Sequence, residues 1–182
     1  MKVLIISDIH GSNYYAKKIL EIEKRESPDK IILLGDLYYH GPRNNLTKEY
    51  NPMEVSKILN SLKDKILAVR GNCDAQVDEM ISEFTFQDNI ETNINGKKIF
   101  LTHGHKYNID KLPNKDFDLM IYGHFHTGFI KETNGKIFAN PGSISLPKNN
   151  TKNSYLILDN EKIILKDVEG NIIEEKKYKK TS

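Results

Sequence analysis

The sequence predicts an α/β fold, a four-layer αββα sandwich in which two mixed β-sheets pack face to face with helices outside. Three observations predict it. Apolar, strand-like runs alternate with helical segments over the first 72 residues, Asn-Gly turns join the runs of the second half, and polar motifs stand at the ends of the runs.

Val3 to Ser7 is a continuous apolar run, and the segment that follows places Ala16, Ile19, Leu20 and Ile22 near helical spacing. Ser27-Pro28-Asp29 breaks that helix before Ile31 to Leu34, a second buried strand that stops at Gly35-Asp36. A loop rich in Gly, Pro and Asn (Gly41 to Pro52) leads to a helix from about Met53 to Leu62, and Ile66 to Val69 is the third strand. This βαβαβ order implies parallel strands whose carboxyl ends carry the polar residues, where open α/β sheets place ligands. In the second half, Asn95-Gly96 joins Ile90–Ile94 to Lys98–Leu101, and Asn134-Gly135 joins Phe129–Glu132 to Lys136–Ala139. Tyr155–Leu158, Lys162–Val168 and a short strand from Ile172 to Glu175 complete the second set.

A chain of 182 residues with 38% hydrophobic composition fits one domain, taken as 1–175, followed by a polar tail at 176–182. The net charge of +2 is spread along the sequence, so no basic stripe marks a nucleic-acid duplex as partner. Cys73 stands alone, which excludes an intrachain disulfide. No apolar run approaches the roughly 20 residues that span a bilayer. The start at Met1 runs straight into a strand and a motif residue, so no removable signal fits, and the expectation is a cytoplasmic protein.

Five short motifs hold nearly all the metal-binding side chains. They are Asp8-Ile9-His10, Gly35-Asp36, Gly71-Asn72-Cys73-Asp74, His103-Gly104-His105 and Gly123-His124-Phe125-His126. Asp8 and His10 are two apart, so on extended chain they point to one side and can grip one cation. Asp36 suits a carboxylate bridging two metals through separate oxygens. Two imidazoles at i, i+2 after a glycine have little structural purpose, which favours metal binding at His124 and His126. Five of the six histidines fall inside these motifs. Two carboxylates, one amide oxygen and four imidazoles are donors enough for two borderline divalent cations.

With these motifs in this order the chain resembles the calcineurin-like metallophosphoesterase superfamily, whose fold is the metallo-dependent phosphatase-like αββα sandwich. Within it, Gly35 to Asn44, Arg70 to Asp74, Thr102 to His105 and Asn140-Pro141-Gly142-Ser143 resemble the YfcE-type bacterial phosphodiesterases. The resemblance implies hydrolysis of phosphodiester bonds through a hydroxide bridging two divalent metal ions, most simply Mn²⁺, with Fe²⁺, Zn²⁺, Co²⁺ and Ni²⁺ as alternatives. It assigns one metal to Asp8, His10, Asp36 and His126 and the other to Asp36, Asn72, His103 and His124. Small phosphodiester substrates and a homo-oligomer, dimer or tetramer, are implied too, with Tyr38, Tyr39 and Tyr50 offering aromatic surface for an interface. Two alternatives share the fold: a phosphomonoesterase, and a protein-binding module like the retromer scaffold subunit.

Catalytic roles fall to Asn72, Cys73 and Asp74. Cys73 stands where the wider superfamily carries a histidine that assists the leaving group, so it points to substrates with good leaving groups; the competing reading is a small buried filler. Asp74 either orients a neighbouring histidine or caps the next helix. Arg43 and His40, in the loop leaving Asp36, are candidate substrate-phosphate ligands. His105 is expected outside the ligand shell, and Asn140 to Ser143 as a tight turn shaping the wall of the site.

Overall fold

A computed structural model of the chain describes residues 1–178. In chain order the elements are β1 (Val3–Ile6), α1 (Asn13–Glu26), β2 (Lys30–Leu33), α2 (Pro52–Asn60), β3 (Ile66–Val69), α3 (Gln76–Met80), β4 (Phe86–Gln87), β5 (Asn89–Ile94), β6 (Lys97–Thr102), β7 (Leu119–Tyr122), β8 (Gly128–Thr133), β9 (Lys136–Pro141), β10 (Ser154–Leu158), β11 (Lys162–Asp167) and β12 (Ile172–Lys177). Both long helices begin on side-chain caps. Ser12 accepts from the Tyr15 amide ahead of α1, and Asn51 accepts from the Glu54 amide ahead of α2, whose first residue is Pro52. α1 ends at Ser27 in a left-handed conformation, with Lys24 and Arg25 facing the negative end of the helix dipole.

Two mixed sheets result, as expected. The first runs β12-β11-β10-β1-β2-β3-β4, with β1 to β4 parallel and β10 antiparallel to β1. The second runs β5-β6-β7-β9-β8, with β6, β7 and β9 parallel. Both predicted Asn-Gly pairs close two-residue hairpins, since Ile94 pairs with Lys97 and Thr133 with Lys136. The two residues of each turn take positive φ, whose twist matches that of the flanking strands.

Alternation along β1 sorts its side chains between two cores. Val3 and Ile5 join Ile32, Leu34, Leu101, Ile121 and Leu156 between the sheets, while Leu4 and Ile6 pack with Ala16, Ile19, Val55 and Leu59 under α1 and α2. Strands buried on both faces read as unbroken apolar runs, which is why β1, β2 and β7 were legible. The outer face of the second sheet is layered differently. Phe100, Met120, Tyr122 and Phe138 are covered by Phe117, Tyr107 and Ile109 from the 103–118 connection, a loop and not a helix.

Three sequence expectations change. The last strand continues through Lys176 and Lys177, which pair with Ile163 and Lys162, so the tail cannot begin at 176; residues 179–182 lie outside the described part. α3 and β4 had no periodic signal, being five and two residues long. Of the three loop tyrosines, Tyr38 is buried and Tyr50 half-buried, which leaves Tyr39 as the exposed ring.

Ile32 is fully buried between the sheets, one residue from the end of β2. Ile32→Ala should cost about 2–5 kcal/mol, measured by urea denaturation, with the dependence on urea unchanged.

Candidate metal centre

Parallel strands of both sheets end at one edge, and the motif residues sit in the turns just past them. Asp8, Asp36 and Asn72 follow β1, β2 and β3; His103 and His124 follow β6 and β7. Backbone bonds stitch the turns together, from the Asp8 amide to the Gly35 carbonyl, the His10 amide to the Asp36 carbonyl and the Gly123 amide to the His103 carbonyl. Five of the seven candidate ligands, Asp8, His10, Asp36, His124 and His126, have φ between 50° and 66°. That left-handed region costs an L-residue about 1–2 kcal/mol, and such strain gathers where structure around it holds a functional geometry.

The side chains form two clusters joined by one carboxylate. In the first, His10 Nε2 lies 3.2 Å from His126 Nε2, and Asp8 Oδ1 lies 3.7 Å and 3.4 Å from the same two nitrogens. In the second, His103 Nε2 is 3.0 Å from Asn72 Oδ1 and 3.3 Å from His124 Nδ1. Asp36 Oδ2 stands between them, 3.7 Å from His10 Nε2 and 3.4 Å from His103 Nε2. The other oxygen, Oδ1, accepts the Cys73 amide at 2.8 Å. Oδ2 is thus the Asp36 oxygen that faces both clusters, where the sequence reading gave each metal a separate oxygen.

The donor set fits cations on two observations. First, His10, His103 and His126 each place Nδ1 on a backbone carbonyl, Tyr39 at 2.8 Å, Leu34 at 2.6 Å and Leu146 at 2.7 Å, so Nδ1 carries the proton and Nε2 turns a lone pair inward. Facing lone pairs at 3.2 Å repel unless positive charge lies between them. Second, Asp8 Oδ1 is buried without a hydrogen-bond partner, and its neighbours are those same nitrogens. An orphaned buried carboxylate oxygen is costly and asks for a counter-charge.

In the chain alone a proton meets part of that demand. Burial would lower the His103 pKa, but the hydrogen bond to Asp36 and the charges of Asp8 and Asp36 outweigh it and raise it to about 9. Burial and the charged His103 push His124 down to about 4. Burial works against the Asp36 carboxylate, yet His103 holds it well below the usual range.

Around this centre the remaining motif residues take definite places. Asp74 neither orients a histidine nor caps α3, whose N-cap is Ala75; its carboxylate accepts the amides of Asp36 (2.8 Å), Leu37 (2.8 Å) and Gly71 (2.7 Å). Cys73 is half-buried and lines the cavity, so it is not a buried filler, and burial with Asp36 nearby pushes its thiol up to about 12. Its Sγ groups with donor atoms of His10 and Asp36. His105 is exposed, its ring centroid 5.4 Å from that of His103. A cavity of about 470 Å³ opens over the clusters, with Arg43 on its wall. His40 is absent from that lining and packs instead edge-on to Tyr39 and Tyr50.

The Asn140 to Ser143 turn does more than shape a wall. Ser143 and Ser145 hydroxyls donate to the Asp8 carbonyl at 2.7 and 2.9 Å, and Asn140 Nδ2 donates to the Gly123 carbonyl at 2.8 Å. These braces and the Ser7 hydroxyl on Asp8 Oδ2 had no signal of their own, since serines are common in turns. Lys148 on the cavity wall was likewise missed among many lysines; its amide donates to the His126 carbonyl at 2.9 Å.

A side chain at Gly71 would collide with the bridge, because an added Cβ would lie 2.1 Å from Asp36 Oδ1 and 2.4 Å from its amide nitrogen. Gly71→Ala should weaken binding of divalent ions at least about tenfold, beside a cost to the fold of about 1–3 kcal/mol from overpacking. Metal titration beside a melting curve checks this.

The calcineurin-like phosphoesterase superfamily domain model matches residues 1–162. The chain is 41% identical to the phosphodiesterase YfcE of Escherichia coli strain K12 over 165 residues, 88% of this chain and 89% of that protein. The solved structure of YfcE from E. coli superposes with a TM-score of 0.94 at 34% identity, covering 98% of this chain and all of that one. Zinc-bound Vps29 of Entamoeba histolytica shares the fold at 23% identity, with a TM-score of 0.63 and coverage of 98% and 100%. Sequence, fold and motif placement agree: the chain is a phosphoesterase and belongs to the calcineurin-like phosphoesterase superfamily.

Proposed function

We propose that the chain is a phosphodiesterase whose centre takes two divalent ions. The observation that carries this reading is the position of Asp36 Oδ2 between two donor clusters, 3.7 Å from His10 and 3.4 Å from His103. Asp8, His10, Asp36 and His126 would hold one ion, and Asp36, Asn72, His103 and His124 the other. When bound, two such ions supply a shared water of lowered pKa, present as hydroxide, and a cradle of charge for the phosphoryl oxygens. Imidazole and oxygen donors without thiolate suit Mn²⁺, and Fe²⁺, Zn²⁺, Co²⁺ or Ni²⁺ also match that set.

The chain's own residues do the holding. Backbone carbonyls fix three imidazole tautomers, and Asp74 and the Cys73 amide fix the bridge. Charge balance supports a diester over a monoester. Four positive charges from the ions are offset by Asp8, Asp36, a hydroxide and a singly charged diester, and a neutral assembly is the least costly to enclose. The 41% identity to a phosphodiesterase supports the same substrate class. A protein-binding role without hydrolysis is disfavoured because every ligand position is filled by a competent donor. For the implied homo-oligomer, Tyr39 and Val77 are exposed and line one surface cavity.

The test is metal-free protein reloaded singly with Mn²⁺, Mg²⁺, Zn²⁺ or Ni²⁺ and assayed on matched aryl phosphodiester and phosphomonoester substrates. Diester hydrolysis should saturate at two ions per chain; saturation at one, or full activity without metal, contradicts the reading. Asp36→Asn should lower turnover by at least about tenfold to a hundredfold, whereas His105→Ala stays within severalfold at saturating Mn²⁺.

Metal binding should also release protons. His103 is protonated in the metal-free chain up to about pH 9, and a ligand must be neutral, so affinity should rise with pH from 6.5 toward 9 and then level off. Calorimetry at pH 7 in buffers of different ionisation enthalpy should count about two protons released per chain, one from His103 and one from the water that becomes hydroxide.

A further inference from the structure

The walls of the cavity carry more positive charge than a single diester needs. Asp36, a candidate ligand, is the one acidic residue in the lining, whereas Arg43 and Lys148 both face in and neither has an acidic partner among the described residues. They come from separate loops, one between β2 and α2 and the other between β9 and β10, and line the same cavity. Arg43 follows Gly41, which packs against Cys73, and the Lys148 amide is bonded to the His126 carbonyl. With two ions, Asp8, Asp36, hydroxide and the scissile diester already summing to zero, these two cations remain for a charge elsewhere on the ligand. Tyr39, exposed on the same wall beside Pro42, offers a flat apolar surface for what lies between the two anions. A volume of about 470 Å³ admits a nucleotide-sized molecule.

We propose that Arg43 and Lys148 form a second anion subsite, and that the substrate is a small phosphodiester carrying a further anionic group, a phosphate or carboxylate, beyond the bond that is cleaved. This rests on the phosphodiesterase reading, and the two can fail separately.

The probes are thymidine 5′-monophosphate and thymidine 3′,5′-bisphosphate, which differ by one phosphate, and thymidine 5′-phosphate 3′-carboxymethyl ether, in which a carboxylate replaces that phosphate. Binding to Mn²⁺-loaded protein is measured by calorimetry, and inhibition of bis(4-nitrophenyl) phosphate hydrolysis is measured in parallel. The probes with two anionic groups should bind at least tenfold tighter than the monophosphate, and the advantage should fall below threefold in the Arg43→Ala/Lys148→Ala double variant and shrink with added salt in the wild type. A phosphate-only advantage narrows the subsite to phosphate and still supports it. Equal binding of all three probes overturns the subsite, as does an advantage that survives the double variant, or a double variant that weakens all three alike, which would place the two side chains on the scissile phosphate. Absence of metal-dependent hydrolysis of the aryl diester instead overturns the phosphodiesterase reading, and the binding ratio then decides the subsite by itself. Melting curves check that the variant is folded, both side chains being exposed.

Discussion

The two oxygens of Asp36 have different partners, and the centre depends on that division. Oδ1 is held by the Cys73 amide, so the carboxylate cannot rotate, and Oδ2 is left facing His10 on one side and His103 on the other. The backbone beneath it is held as well. Asp36 is in the left-handed region, and Asp74 takes its amide together with those of Leu37 and Gly71. One carboxylate gathering three amides fixes the turn after β2 and the turn after β3 as a unit, so a bridging oxygen is placed by main-chain bonds and not by side-chain packing alone.

That local clamp needs two sheets in register. The candidate ligands come from β1, β2 and β3 of the first sheet and from β6 and β7 of the second, and their separation is set by the core of Val3, Ile5, Ile32, Leu101 and Ile121 between the sheets. Glycine enforces the close approach where the sheets meet. A Cβ at Gly123 would fall 1.9 Å from the Ser7 hydroxyl and 2.7 Å from Asp8 Oδ2, so the second sheet's turn can lie on the first sheet's ligand only without a side chain there. The strain of five left-handed ligand residues persists because cores and braces on both sides over-determine these turns.

Most of this was legible where a physical pattern repeats along the chain. Doubly buried strands announce themselves as apolar runs, α1 and α2 by their periodicity, and the hairpins by Asn-Gly. The ligands were legible because histidines are few and sit at strand ends. What stayed hidden depends on contacts between residues far apart in sequence. Ser143 and Ser145 brace Asp8 from more than 130 positions away, and nothing local distinguishes them from other turn serines. Asp74 was read as orienting a histidine or capping the next helix, yet tertiary contacts give it the amides of Asp36 and Leu37 in another strand's turn, beside that of Gly71 in its own. His40 has the residue type of a phosphate ligand, but the loop turns its ring against Tyr39 and Tyr50. The outer layer of the second sheet left no signal, because an aromatic-rich loop can cover a sheet without periodicity.

The position after Asn72 shows how such a site tolerates a change of chemistry. Cys73 contributes to the ligand geometry through its amide on Asp36 Oδ1, and every residue except proline supplies that amide. Its side chain faces the cavity, where Sγ accepts from Asn72 Nδ2 at 3.3 Å. A histidine there would bring a group that gains and loses a proton near neutral pH, whereas burial and the neighbouring carboxylates push this thiol up to about 12 in the metal-free chain. A thiol is also a weak hydrogen-bond donor, so a side chain at this position can change its proton chemistry while the backbone bond at Cys73 still holds Asp36.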